Sequence, residues 1–207
     1  MPSIELTYFD SPGRAEAIRI ALFMGGVAYQ DHRFKFPEFA EARSRGDFPL
    51  GSVPVLTVDG VKIAQTSAIL RYAAKIGDQS LYPADPWAAL LVDSALDSFN
   101  DTLADALVPS LFERDPAKKL AMRAEFAAGP MKRVLAYCEG LLERSGGPFF
   151  AGATLSIADL VVALQLLQIR GGGLDGLDAG MLAPYARLGA LVEAYGKDSR
   201  VQAYAAR

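Results

Sequence analysis

GSVPVLTVDGVKIAQTSAILRY, residues 51–72, carries three signals that together read as a binding platform built on a small sheet. Val53-Pro54 opens an apolar run. A proline at the first residue of a strand gives up no ladder bond, and a cis bond before it turns the Val53 N–H and C=O outward, where a short peptide can pair with them. Residues 55–58 and 61–64 flank Asp59-Gly60, a dipeptide that supplies the positive φ angles of a two-residue hairpin. Gln65-Thr66-Ser67 then precedes Ala68-Ile69-Leu70-Arg71-Tyr72, a helix start with a hydroxyl at its mouth. The unpaired N–H groups and the positive dipole end form a seat for a carboxylate. A peptide-pairing edge beside such a seat suggests a small acidic peptide as ligand.

Upstream, residues 3–9 alternate as a strand, with Ile4, Leu6 and Tyr8 on one face and Glu5 and Thr7 on the other. Asp10-Ser11-Pro12-Gly13 breaks it. Residues 14–24 read as a helix ended by Gly25-Gly26, residues 27–34 as a second strand, and residues 36–47 as a looser segment. The order βαβ then ββα predicts an α/β domain with a mixed sheet over residues 1–77. The polar stretch 78–85 reads as a linker, and everything from 86 to 207 as an all-α domain. Asp85-Pro86 starts a long helix to about Leu107, with Leu96, Phe99, Leu103 and Leu107 at core spacing. Asp115-Pro116 starts another, which Gly129-Pro130 must bend or interrupt. Met131, Val134, Leu135, Cys138, Leu141 and Leu142 then form one apolar stripe. Leu155-Ser156-Ile157-Ala158-Asp159 is a capping box, and the helix it opens, to about Arg170, is apolar on nearly every side, as the buried centre of a bundle would be. Residues 171–180 connect to one or two closing helices over 182–206.

At 207 residues, 51% hydrophobic and 22% charged, the chain is long enough for one large or two small globular domains. A net charge of -3 with no basic block argues against a nucleic-acid partner. No apolar run has membrane-spanning length and no signal core is visible, so a soluble, cytoplasmic protein without a membrane partner is expected. One cysteine, Cys138, excludes a disulfide framework and a cysteine-based metal site. It falls mid-stripe and reads as a packed thiol. His32, the one histidine, is assigned no catalytic role. Asp93, Asp97, Asp101 and Asp105 place four carboxylates along one helix face, which disfavours an isolated helix by a few tenths of a kcal/mol per pair. That face reads as solvated, with a divalent cation held between two such faces as the weak alternative, and no metal is expected.

Tyr8 lies at the carboxyl end of the first strand, where open α/β sheets bind their ligands. LTYFDSPGRAEAIR (6–19), GSVPVL (51–56), QTSAILRY (65–72) and GATLSIADL (152–160), spread over nearly the whole chain, resemble the cytosolic glutathione transferases. The likeness is greatest to the sigma-type group that includes the glutathione-dependent prostaglandin D synthases. The resemblance implies a thioredoxin-like first domain that binds glutathione, an electrophile pocket between the two domains, and a homodimer. It implies Tyr8 as the catalytic tyrosine whose hydroxyl donates to the glutathione sulfur, with Arg14 beside it. A free thiol has a pKa of about 8.5 and is only a few per cent ionised at neutral pH. Lowering that value to about 6.5, worth roughly 2.7 kcal/mol, raises the reactive thiolate by up to about thirtyfold.

Ser11 is the rival, since other classes use a serine in this loop; the TYF six residues before the arginine favours Tyr8. The first domain has no cysteine, which disfavours a cysteine-using transferase. The resemblance further assigns Gln65 and Thr66 to the γ-glutamyl carboxylate, the Val53 backbone before Pro54 to the cysteinyl amide, and Asp101 to the γ-glutamyl ammonium across the dimer. The family's glycyl-carboxylate tryptophan and basic residue have Phe39 and Arg43 as their nearest candidates. Ser52 stands where a lysine is common, a departure at that end of the peptide. Phe9, Leu103 and Val108 are expected to line the electrophile pocket, and Asp159 to cap its helix. The implied activity is conjugation of glutathione to small hydrophobic electrophiles. The alternatives are an isomerase of the prostaglandin D synthase type and a non-catalytic ligand-binding or crystallin-like member.

Overall fold

The computed structural model describes residues 2–77 and 81–207, and the chain divides into two compact units, Met1–Leu81 and Tyr82–Arg207. Of the expected linker 78–85, residues 78–80 lie outside the described residues.

In the first unit β1 (Ile4–Phe9), α1 (Glu16–Met24), β2 (Gln30–Phe34), α2 (Phe36–Ser44), β3 (Val55–Val58), β4 (Val61–Ile63) and α3 (Thr66–Ile76) follow in order. The sheet runs β2-β1-β3-β4, with β2 parallel to β1 and the other pairs antiparallel. This is the mixed sheet of a thioredoxin-like domain. Because strand side chains alternate, Ile4, Leu6 and Tyr8 share one face of β1 and Glu5, Thr7 and Phe9 the other. On the first side α1 and α3 pack together, their Ile18, Leu22, Ile69 and Leu70 fully buried. On the second side Phe34, Phe48 and Val55 form a small core joined by Phe9, Phe39, Ala42 and Val53.

The looser segment read at 36–47 is the helix α2 over most of its length. Its sequence shows no apolar stripe because it has none: no residue of α2 is buried. What starts it is local, the Glu38 carboxylate accepting from the Lys35 N–H at 2.5 Å, with Pro37 in its first turn.

The second unit is helical: α4 (Pro86–Thr102), α5 (Val108–Phe112), α6 (Pro116–Phe126), α7 (Lys132–Ser145), α8 (Ile157–Arg170), α9 (Ala186–Lys197) and α10 (Ser199–Ala205). The single long helix expected to Leu107 ends as an α-helix at Thr102 and widens into a π turn, Leu103–Leu107. A second π turn, Ala127–Met131, joins α6 to α7 and contains Pro130. Proline explains both. It lacks the N–H that would close an α turn, and its ring crowds the carbonyl four residues back, which for Pro109 is that of Asp105. Widening by one residue keeps the chain helical where a tight turn would break.

Helix α8 forms the centre, its residues Ile157 to Ala163 all buried and packed against α4 and α9. Its cap is satisfied three ways: the Asp159 carboxylate accepts from Phe150 N–H at 3.0 Å, Ser156 N–H at 2.7 Å and the Ser156 hydroxyl at 2.6 Å. Asp85 and Asp115 cap α4 and α6 in the same manner. The start of α9 is capped instead by Glu139 of α7, which accepts from Arg187 and Leu188 N–H at 2.8 and 2.9 Å.

Candidate functional site

Tyr8 is 7% exposed, and its hydroxyl oxygen accepts a hydrogen bond from the Arg14 backbone N–H at 3.1 Å. The contact with Arg14 is thus through its main chain. A phenol oxygen that accepts in this way has its own O–H free to donate elsewhere. Gly13 lies directly against it at φ +44°: a Cβ there would sit 2.6 Å from the Tyr8 hydroxyl and 2.8 Å from its ring. Gly13→Ala must therefore push the ring aside or distort the turn. The expected result is a thermal midpoint lowered by several degrees, read by thermal unfolding.

The turn between β1 and α1 is held by a residue that the sequence reading passed over. Arg19 has a fully buried side chain. Its guanidinium donates to both Asp31 carboxylate oxygens at 3.2 and 3.1 Å, to the carbonyls of Ser11 and Pro12 at 2.8 and 3.3 Å, and to Glu16 at 3.2 Å. Its carbon centre stands 5.9 Å from the Tyr8 ring centroid. The signal was present: Arg19 occupies the same helix face as Ala15 and Leu22, where an apolar residue belongs. A buried cation there fixes the carbonyls of residues 11 and 12 and so the approach to Gly13 and Arg14. Ser11 takes part through its backbone, and the residue itself is exposed.

Beside Arg14, a small cleft of about 40 Å³ is lined by Ser52, Val53, Pro54, Gln65 and Thr66. The Val53-Pro54 bond is cis. Gln65, immediately before α3, is held at φ +84°, ψ +106° without capping the helix through its side chain. A non-glycine residue in that region costs about 1–3 kcal/mol and persists only where its surroundings over-determine it. Thr66, the first residue of α3, is buried. The cleft therefore joins a main-chain edge, an amide side chain, a helix start and Arg14, a donor set suited to the amide and carboxylate of a short peptide.

At the other end Arg43 is exposed, with its Nε about 3.4 Å from where a Cβ on Gly51 would be. Phe39 is half-buried, stacked on Phe48 and Phe34 with ring centroids 5.5 and 5.9 Å away. Its ring belongs to the small core. The aromatic ring offered outward is Phe36, 55% exposed and stacked on Phe9 at 6.0 Å. Phe9 in turn meets Tyr8 edge-on at 5.3 Å.

In the second unit, Leu103 and Val108 are half-buried at the two ends of the first π turn. The four aspartates differ: Asp93 is half-buried and accepts from the Tyr82 hydroxyl at 2.7 Å, whereas Asp101 and Asp105 are exposed. The π turn begins between these last two, so Asp105 leaves the straight face of the other three. Cys138 is buried, and burial, then the nearby Asp159 charge, pushes its thiol up to about 12, which makes it inert as a nucleophile. Among the described residues no three His, Cys, Asp or Glu side chains gather as metal ligands, and no helix is long and apolar enough to cross a membrane.

Residues 4–75 match the family model of the glutathione S-transferase N-terminal domain, and residues 100–207 that of the glutathione S-transferase C-terminal domain. The chain belongs to the glutathione S-transferase family. It is 33% identical over 171 residues to glutathione S-transferase 1 of Ascaris suum, covering 80% of each chain. It is 38% identical over 101 residues to the hematopoietic prostaglandin D synthase of Gallus gallus, covering 49% of each. Among solved structures, the glutathione S-transferase of Ascaris lumbricoides superimposes with a TM-score of 0.79 at 28% identity, covering 99% of this chain and 97% of that one. For a glutathione S-transferase the co-substrate is glutathione, a tripeptide with two carboxylates, and the cleft beside Arg14 offers groups of matching chemistry.

Proposed function

We propose that the protein joins the thiolate of glutathione to small hydrophobic electrophiles, as a cytoplasmic, detoxifying homodimer of the sigma-like class. The observation that carries the reading is the Tyr8 hydroxyl, whose oxygen accepts from the N–H of Arg14, a residue that also lines the cleft at Val53, and whose proton no group among the described residues accepts. In this account the Val53 main chain pairs with the cysteinyl amide, and Gln65 and Thr66 receive the γ-glutamyl carboxylate. The O–H of Tyr8 donates to the sulfur. Phe9, Leu103 and Val108 are the apolar side chains offered to the electrophile. Glutathione-dependent turnover of a generic aryl halide tests the reading; retention on immobilised glutathione without turnover would instead favour a ligand-binding protein. The likeness to a prostaglandin D synthase over residues that include about half the chain supports a second reading, glutathione-dependent isomerisation, separated from the first by substrate profiling.

Two substitutions probe the ends of the peptide. Arg43, beside Gly51, is proposed to meet the glycyl carboxylate with Phe36 or Phe39 nearby and Ser52 adding only a hydroxyl. An exposed ion pair is worth about 1 kcal/mol at most, so Arg43→Ala should raise the glutathione Kd about fivefold. The glycyl ester of glutathione should show no such difference between the two proteins. Asp101 is proposed to meet the γ-glutamyl ammonium of glutathione held by a second copy. Asp101→Ala should weaken binding by a similar factor without altering thermal stability, and an unchanged Kd would return that side chain to solvent.

A further inference from the structure

We propose that Arg123 governs how the electrophile is held, as a positioning residue that fixes the short helix α5, and with it Val108, against the first π turn. The inference rests on the reading above, in which Leu103 and Val108 meet the electrophile.

A helix as short as α5, Val108–Phe112, has little stability of its own, so its place is set by what it touches. Leu111 and Phe112 are exposed, and among the described residues of α5 the one that is buried is polar, Ser110. Its hydroxyl donates to the carbonyl of Leu107, the last residue of the π turn, at 2.7 Å, and its oxygen accepts from the Arg123 Nε at 3.3 Å. The Val108 N–H donates to the Leu103 carbonyl and closes the turn. One chain of hydrogen bonds therefore runs from Arg123 through Ser110 to the turn that spaces Leu103 from Val108.

Arg123 is anchored on its other side as well. It is buried on α6, and its Nη1 donates to the Asp175 carbonyl at 2.8 Å, in the connection from α8 to α9. Leu174 and Leu177 bury their side chains to either side of Asp175. Gly176, at φ +78°, lies close on α6: a Cβ there would stand 2.9 Å from the Leu120 side chain. The Asp175 carboxylate is exposed and 3.6 Å from the guanidinium, so it neutralises little of that charge. A cation buried on such terms adds little to stability, and an apolar side chain of similar length in its place is often neutral or stabilising. What an apolar chain cannot supply is a rigid set of donors that reaches Ser110 and the Asp175 carbonyl together. Arg123 thus acts on where α5 sits rather than on whether the unit folds.

Calorimetric binding of glutathione, and of glutathione carrying a hexyl chain on its sulfur, tests this without requiring turnover. The wild type should hold the hexyl form at least about tenfold more tightly. In Arg123→Met that advantage should fall to about threefold or less, with the Kd of glutathione itself within about twofold of wild type and the thermal midpoint not lowered. Ser110→Ala cuts the same chain at its middle, should lose the same advantage, and carries the test should Arg123→Met fail to fold. Asp175→Ala, which keeps the carbonyl, should leave the advantage whole. An advantage equal to that of the wild type in both Arg123→Met and Ser110→Ala would overturn this inference alone, as would a parallel loss of both ligands or a wild type that binds glutathione with no hexyl advantage. A wild type that binds no glutathione would overturn the proposed function and this inference with it.

Discussion

Tyr8→Phe should lower kcat/KM for glutathione conjugation about thirtyfold at neutral pH while leaving the protein folded. The ring itself is retained, with its edge contact to Phe9 and its packing over Gly13. What disappears is the hydroxyl proton, which no group among the described residues accepts and which the proposed mechanism gives to the sulfur, the Arg14 N–H meeting the same oxygen as a donor. Loss of that single hydrogen bond costs about 1–2 kcal/mol of stability. The defect should shrink as the pH rises past about 8.5, where glutathione ionises unaided. Rate profiles of the two proteins that run parallel at every pH would assign Tyr8 a packing role only. Ser11→Ala, assayed beside it, should change the rate less than about twofold, because that residue engages Arg19 through its carbonyl.

The second large effect is on folding. Asp159→Ala removes the acceptor for three donors, two of them backbone N–H groups of Phe150 and Ser156 that stay buried. A lost cap together with unsatisfied buried donors costs about 2–4 kcal/mol, enough to lower the thermal midpoint by several degrees. Burial pushes the Asp159 carboxyl from its ordinary 3.8 up to about 7, against the downward pull of these hydrogen bonds. A carboxyl raised in the native state holds its proton where the unfolded chain has released it. Its contribution to stability is therefore complete below about pH 4 and is lost as the pH rises through about 7. Unfolding midpoints of the two proteins across that interval check both statements: the difference between them should narrow toward neutral pH.

Much of this was legible in the chain because the signals were local. Asp59-Gly60 between two apolar runs is a hairpin by the chemistry of its own backbone, and Asp85-Pro86, Asp115-Pro116 and Ser156 to Asp159 announce their helices within four residues. Elements without such a signal were missed. Helix α2 has no fully buried residue, so it leaves little periodic trace, and a π turn shows only as a step in a 3.6-residue pattern that Pro109 explains in retrospect. In the site, Tyr8, Val53 and Gln65 are placed by neighbouring chain segments. Arg19 depends on Asp31, 12 residues away, and the cap of α9 depends on Glu139, 48 residues before it. Partnerships at that separation are made by the fold. Phe39 and Phe36 illustrate the same limit: both sit three residues apart on one helix, and the presence of Phe34 and Phe48 decides which ring is enclosed.

The most direct test of the central claim is a spectroscopic titration of the thiol of glutathione bound to the wild-type chain and to Tyr8→Phe. Donation from the Tyr8 hydroxyl predicts an apparent thiol pKa of about 6.5 in the wild type, returning toward about 8.5 in the variant. The same value in both proteins would contradict it.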